Sequence, residues 1–406
     1  MWLLKLLVPL ARPRIAGVIA LCVYLLRSWL TGSNFGPTQS AYFNYLADAF
    51  LHQQLYLRLP TSNIIDLVDY AGKLYFYWPP FPAILLLPLI AIFGAGTSDV
   101  IYTPILGAVS IALLAKFLGL LDQTGIAPLS PERRGIMVAS TAFGTFLLIL
   151  APAGGAWYTA QIIGWGCVLL AAIAALSRSD KLGYLLVGLA LACATLTRIG
   201  LVFNGVWLAY YLLHRDRQRP LRQTVAAACY GLVPVIVAVL LLGCYNAARF
   251  GNPLESGLAW QIVAPSAQAD LTRYGQFNLH YLPKNLYYQF GGYTLFDEDR
   301  WLGGGLFWMT PVLIGALYAI WRERRDLFVW TLVGSCALIY IPIGLLIGSG
   351  GITFGPRYLL DMFVPLLLLT ARGIREWRRD ALLVLMIVSC VTYGLGSYFW
   401  LVTIVW

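Results

Sequence analysis

Asn44, Asp48 and His52 recur at i, i+4 and i+8 in the stretch Ala41 to Gln53. On a helix this spacing sets one carboxylate between two hydrogen-bonding side chains, the arrangement of a general base whose proton affinity a neighbour can tune. The same stripe also describes a solvated polar face with an Asp–His contact. A second source of carboxylate follows in Asp66 and Asp69, which precede Gly72-Lys73-Leu74-Tyr75 and Trp78-Pro79-Pro80-Phe81-Pro82. Loop solvation would account for those acids equally well. Three arginines stand where charge is costly. Arg198 sits in the middle of the apolar stretch 182–213, where an unpaired guanidinium costs about 2.5–3.5 kcal/mol on insertion scales. Arg357 lies in Phe354-Gly355-Pro356-Arg357-Tyr358-Leu359-Leu360-Asp361, and Arg249 follows Tyr245-Asn246-Ala247-Ala248. An ion pair to Asp361 at i+4 competes for Arg357, and snorkelling competes for Arg249. Together the three would suit one anionic site between helices. The acidic run Asp297-Glu298-Asp299 would suit a divalent cation, or else a solvated run partly neutralised by Arg300.

The elements that must position these groups are membrane helices. Of 406 residues, 60% are hydrophobic and 11% are charged, and the mean hydropathy is +0.74. Such a chain cannot clothe a globule in water. Apolar stretches recur from Ile15 to Val405, at lengths near the roughly 20 residues that cross a hydrocarbon core. The alternating ten-residue segments of a membrane β-barrel are absent. The fold class is therefore an all-α polytopic helical bundle in one domain, residues 1–406.

The net charge of +10 encodes orientation and not a nucleic-acid partner, because most of the 28 basic residues cluster in short inter-helix loops. These clusters include Arg133 and Arg134, Arg215 to Arg222, Arg322 to Arg325, and Arg372 to Arg379. The positive-inside rule puts them, and the N-terminus, in the cytoplasm of a cell whose inner membrane the chain spans. Two large outer loops follow, at about 31–80 and about 249–304, with about eleven spans between and around them. The apolar run Phe81 to Phe93, carrying Pro82 and Pro88, is short for a span and reads as a re-entrant or outer-leaflet segment. Residues 182–213 read as two short helices meeting at the outer surface around Arg198. Ser40 is positioned to cap the amphipathic helix through Ala41 to Gln53. The seven cysteines all fall in apolar stretches and read as small buried hydrophobes. The N-terminal run reads as a retained first span, since no small-residue cleavage site follows it.

Four stretches carry a resemblance to the GT-C superfamily of integral membrane glycosyltransferases, among them the protein O-mannosyltransferases and lipid A aminoarabinose transferases. They are Tyr45 to His52 with Leu55-Tyr56-Leu57, Tyr75 to Pro82 with Ala83 to Gly94, Leu196-Thr197-Arg198-Ile199-Gly200, and Gly355 to Leu360 with Pro365. The resemblance implies transfer of a sugar from a polyprenyl-phosphate donor to a lipid or glycan hydroxyl on the outer side, with inversion. It implies an aspartate base, Asp48 first and Asp66 second. It also implies a phosphate leaving group held by Arg198 and Arg357, with Arg249 as a third cation and Asn44, His52, Lys73 and Tyr358 in support. Where many members carry an acidic residue just after the first span, this chain has Gly36-Pro37-Thr38-Gln39-Ser40. A lipid-linked glycan flippase and a non-catalytic envelope subunit remain the alternatives. No repeated halves of the kind common in transporters are evident, which favours the enzyme.

Overall fold

The computed structural model describes residues 2–292, 302–348, 350 and 353–402. Among them the chain is almost entirely helical, with two small two-stranded sheets. Six helices are long and apolar enough to cross a membrane: Pro13–Leu30, Asp99–Gln123, Ala156–Ser177, Leu221–Phe250, Leu327–Leu345 and Arg379–Trp400. The remaining apolar stretches are shorter or broken. Pro131–Phe143 and Leu147–Ala153 form one bent pair at 52°. Lys181–Thr195 and Gly205–Arg215 are joined by a 3-10 turn over Ile199–Asn204, with Arg198 at its start.

Burial sorts these helices into centre and rim. Ala156–Ser177 has 78% of its apolar window inside the protein, whereas Leu221–Phe250 has 11%. The first is therefore core and the second presents its Leu and Val side chains to lipid. Three of the cysteines, Cys22, Cys229 and Cys244, are likewise exposed on helix surfaces instead of buried. In an apolar solvent nothing penalises a thiol that faces outward. The outer helix still packs closely on Lys181–Thr195, because Gly188 and Gly231 meet with no room for a Cβ.

The first large loop folds against the bundle. Its helix, Tyr42–Leu51, buries Tyr42, Phe43, Leu46 and Ala47. Ser40 does not cap it through its side chain. Its carbonyl instead accepts from the Ala156 N–H at 2.9 Å, tying the loop to the start of the central helix. Phe81–Phe93 packs against this loop helix, as a short segment on that side should. Two strands the sequence reading did not anticipate, β1 (Leu67–Tyr70) and β2 (Lys73–Phe76), pair antiparallel in a hairpin. Its two-residue turn has both Ala71 and Gly72 at positive φ, 52° and 73°, the primed geometry that matches strand twist.

One buried carboxylate fastens the loop to the bundle. Asp99, fully buried, accepts from the Thr38 N–H at 2.8 Å, the Thr38 hydroxyl at 2.5 Å and the Gly155 N–H at 2.7 Å. Gly154 and Gly155 hold φ of 67° and 84°, a conformation that glycine takes without strain. They let the chain reverse between Leu147–Ala153 and Ala156–Ser177 with that N–H aimed inward. Asp99→Ala would strand three donors, at a cost of about 3 kcal/mol or more. The expected outcome is a clear fall in the melting temperature of the purified protein in detergent, and an unchanged melting temperature would remove Asp99 from this role.

Candidate active site

The site gathers where four distant segments meet: the end of the hairpin loop, the turn at Arg198, the start of Ala156–Ser177 and the 3-10 turn Arg357–Met362. The Phe81 N–H donates to the Leu196 carbonyl at 2.9 Å. That bond sets Trp78 beside the Arg198 turn. Arg198 then donates from Nε to Asp361 Oδ2 at 2.8 Å, and its guanidinium lies 5.0 Å from the Trp78 ring and 5.7 Å from the Tyr358 ring. Arg357 approaches the same Tyr358 ring at 4.7 Å, and Tyr158 at 5.3 Å. The two cations therefore adjoin one aromatic side chain, with Tyr358 between their contacts.

The pairing of Asp361 differs from the i+4 expectation. Residues Arg357–Met362 form a 3-10 helix, in which side chains three apart, not four, line up. Asp361 is thereby turned from Arg357 toward Arg198, an ion pair across 163 positions of sequence. Arg357 is instead 6% exposed and bound to neutral groups. Its Nε donates to the Gly350 carbonyl, and its Nη1 donates to Gln161 Oε1 at 3.2 Å.

Asp66 belongs to this cluster. Its Oδ2 accepts from Trp157 Nε1 at 2.8 Å and its Oδ1 accepts from Gln261 Nε2 at 2.5 Å. Asp66 has φ of 66°, a left-handed conformation that is uncommon outside glycine, asparagine and aspartate. It is held there by its N–H donating to the Ile262 carbonyl at 2.8 Å and by the bridge between Val68 and Gln261. Burial pushes its pKa above the ordinary aspartate value. The bonds from Gln261 and Trp157 and the nearby charge of Arg357 oppose that rise without cancelling it. The Tyr77 phenol is also raised, first by burial and then by Asp66, with Tyr358 and Arg198 in electrostatic reach.

The other expected residues lie elsewhere. Asp48 accepts from Arg58 Nε at 3.2 Å and has His52 Nδ1 at 3.6 Å, while Arg58 Nη2 meets His52 Nε2 at 3.3 Å. This is a closed trio on the loop helix, and the structure does not bring it to Tyr358. Asn44 is fully buried, donating to the carbonyls of Ala95 and Thr97 and accepting from the Tyr102 hydroxyl at 2.8 Å. It braces the turn after Phe81–Phe93. Arg249 spends Nη1 on the Phe76 carbonyl and Nη2 on Asn246, and lies 3.8 Å from the Tyr245 ring. It pins β2 to the end of Leu221–Phe250. Lys73 is exposed, with its ammonium 4.4 Å from the Tyr56 ring. His280 stacks on Tyr274 at 3.9 Å. Asp297, Glu298 and Asp299 lie outside the described residues. Among the described residues no group of three His, Cys, Asp or Glu side chains is placed to hold a metal ion.

Gln161, Trp157, Tyr158, Gln261 and Tyr77 had gone unmarked. Four are uncharged polar or aromatic residues in apolar or aromatic surroundings, where composition gives no signal. Tyr77 lies inside the stretch Tyr75 to Pro82 but has no charged residue beside it in sequence.

This arrangement, a helical bundle with two large loops folded against it, is shared with a solved membrane-protein structure. The apo crystal structure of ArnT from Cupriavidus metallidurans matches this chain with a TM-score of 0.51 at 13% identity, over 92% of this chain and 61% of that one. The crystal structure of the same ArnT bound to undecaprenyl phosphate matches with a TM-score of 0.49 at 13% identity, over 96% of this chain and 75% of that one. No family model matches the sequence, and no curated protein matches it.

Removing the acid of the buried ion pair should be costly. Asp361→Leu leaves Arg198 without its carboxylate, an expected loss of about 3 kcal/mol. The double variant Arg198→Leu with Asp361→Leu should be more stable than Asp361→Leu alone. Thermal unfolding of the four proteins gives the coupling, and additive losses would contradict the pairing.

Proposed function

We propose that this protein transfers a sugar from a polyprenyl-phosphate-linked donor to a lipid or glycan hydroxyl, at the non-cytoplasmic face of an inner membrane, with inversion. The observation that carries the reading is the meeting of Arg198 and Arg357 at Tyr358, with the Asp66 carboxylate close enough to Arg357 for their charges to interact. Low sequence identity to ArnT limits the comparison to the fold, so the chemistry rests on this cluster and on the motifs that resemble the superfamily.

The donor is a phosphodiester with one negative charge. As the acceptor oxygen attacks the anomeric carbon, the bond from that carbon to the phosphate oxygen breaks and the phosphate gains a second charge. Guanidinium groups fixed in a low-dielectric site stabilise that developing charge more than they stabilise the substrate. The acceptor proton passes to Asp66, whose raised pKa makes it a stronger base than an exposed aspartate. No general acid is needed, because the phosphate leaves as a stable anion. Asp66 is preferred over Asp48 because Asp66 lies in electrostatic reach of Arg357, whereas Asp48 is paired with Arg58 and His52 on the loop helix.

Asp66→Asn is expected to lower transfer by at least about 100-fold while the protein still binds a polyprenyl phosphate. Asp48→Asn is expected to retain most activity. Release of sugar from a panel of polyprenyl-phosphate sugars, followed by mass spectrometry, measures both. Full activity in Asp66→Asn would overturn the assignment. The carboxylate form of a group whose pKa is raised is lost at a higher pH than for an ordinary aspartate. The acidic limb of kcat/KM should therefore lie above the usual aspartate range and vanish from the residual activity of Asp66→Asn.

A further inference from the structure

Arg198 and Arg357 are held in different ways. Arg198 is paired with a carboxylate, Asp361, at 2.8 Å. Arg357 is held by an amide and a backbone carbonyl, and among the described residues no carboxylate lies within ion-pair distance of it. Its charge is felt by Asp66 and Asp361 but neutralised by neither. A guanidinium that is 6% exposed and, among the described residues, has no partner anion is the stronger attractor for an incoming phosphate.

Gln161 makes this state persist. It is fully buried in the central helix Ala156–Ser177. Its Nε2 donates to the Arg357 carbonyl at 2.8 Å, and its Oε1 accepts from Arg357 Nη1 at 3.2 Å. One side-chain amide thus grips both the backbone and the head group of the same arginine, which fixes where the guanidinium points. An isosteric glutamate could not do both. It would lose the donor to the carbonyl, and it would supply the negative charge that the phosphate is meant to bring. An apolar residue of the same size would leave the carbonyl and Nη1 without their partner.

We infer that Gln161 is a positioning residue for the lipid phosphate: it orients Arg357 while leaving its charge uncompensated, so that the phosphate-binding strength of the site depends on an amide at this position. This inference rests on the function proposed above.

The test compares binding of a polyprenyl monophosphate with binding of the uncharged polyprenol of the same length, using the full-length protein in detergent. The ratio of the two affinities isolates recognition of the phosphate from binding of the chain. Wild type should prefer the monophosphate. Gln161→Met and Gln161→Glu should each reduce that preference by about tenfold, with polyprenol affinity unchanged. Arg357→Leu should reduce it by at least as much, and adding Gln161→Met to Arg357→Leu should reduce it no further, since the amide acts through the arginine. Gln161→Glu preserves shape, so it carries the test if Gln161→Met proves too unstable to purify. An unaltered preference in a folded Gln161→Glu, or independent losses in the double variant, would overturn the role of Gln161. Failure of wild type to distinguish monophosphate from polyprenol would instead overturn the proposed function itself.

Discussion

Positive charge held inside an apolar frame is the constraint on which the site depends. A guanidinium is tolerated at that depth only if fixed groups replace its water. The protein meets this demand twice, by a carboxylate at Arg198 and by an amide, a carbonyl and aromatic faces at Arg357. In the proposed reaction the balance of charge is then kept. The proton that Asp66 takes removes one negative charge at the carboxylate just as the phosphate gains one. Negative charge moves toward the arginines while the total in the site stays constant, which is how a preorganised low-dielectric site lowers a barrier without solvent rearrangement.

Distant segments converge there because the two loops are joined by backbone and not by side chains alone. The hairpin bridges to the second loop at Val68 and Gln261, and the second loop bridges onward at Phe277 and Leu346. Gln276 donates to Gln261 at 2.6 Å and Gln261 donates to Asp66, a short chain of amides ending at the carboxylate. The Ile347 N–H donates to the Gln276 carbonyl at 2.9 Å, three residues before the Gly350 carbonyl that receives Arg357. One loop therefore supports both the proposed base and the second cation. Arg249 and Asn44 serve the same end from outside, by anchoring β2 and the turn after Phe81–Phe93.

The cations were legible in the sequence because their cost was. An arginine in the middle of an apolar stretch must have a partner or a purpose, and Arg198 has its partner in Asp361. The helical spacing around Asp48 was equally visible and led to a different end. Residues one turn apart satisfy each other, so Asp48 and His52 close on themselves and on Arg58. Asp66 had no such periodicity. Its place is set by a left-handed backbone, a two-residue hairpin and a bond to a tryptophan 91 positions away, none of which leaves a local pattern. Gln161 was less visible still, because one amide among the alanines, glycines and isoleucines of a central helix alters the hydropathy of its window very little. The six long helices were readable from length alone. The break at Arg198 was readable from the charge it carries, whereas a bend such as the one after Phe143 leaves the apolar run uninterrupted.

The start of the first loop is held by a carboxylate from elsewhere in the chain. After the first long helix come Gly36-Pro37-Thr38. Here Thr38 is the donor and Asp99, 61 positions away at the start of another helix, is the acceptor. The same carboxylate also takes the Gly155 N–H. Gly155 is two residues before Trp157, which holds Asp66, and three before Tyr158, which lies against Arg357. The Asp99 carboxylate is fully buried and holds three protein donors. Its contribution is rigidity at the helix start from which both halves of the proposed chemistry are held, and that leaves the proton to Asp66.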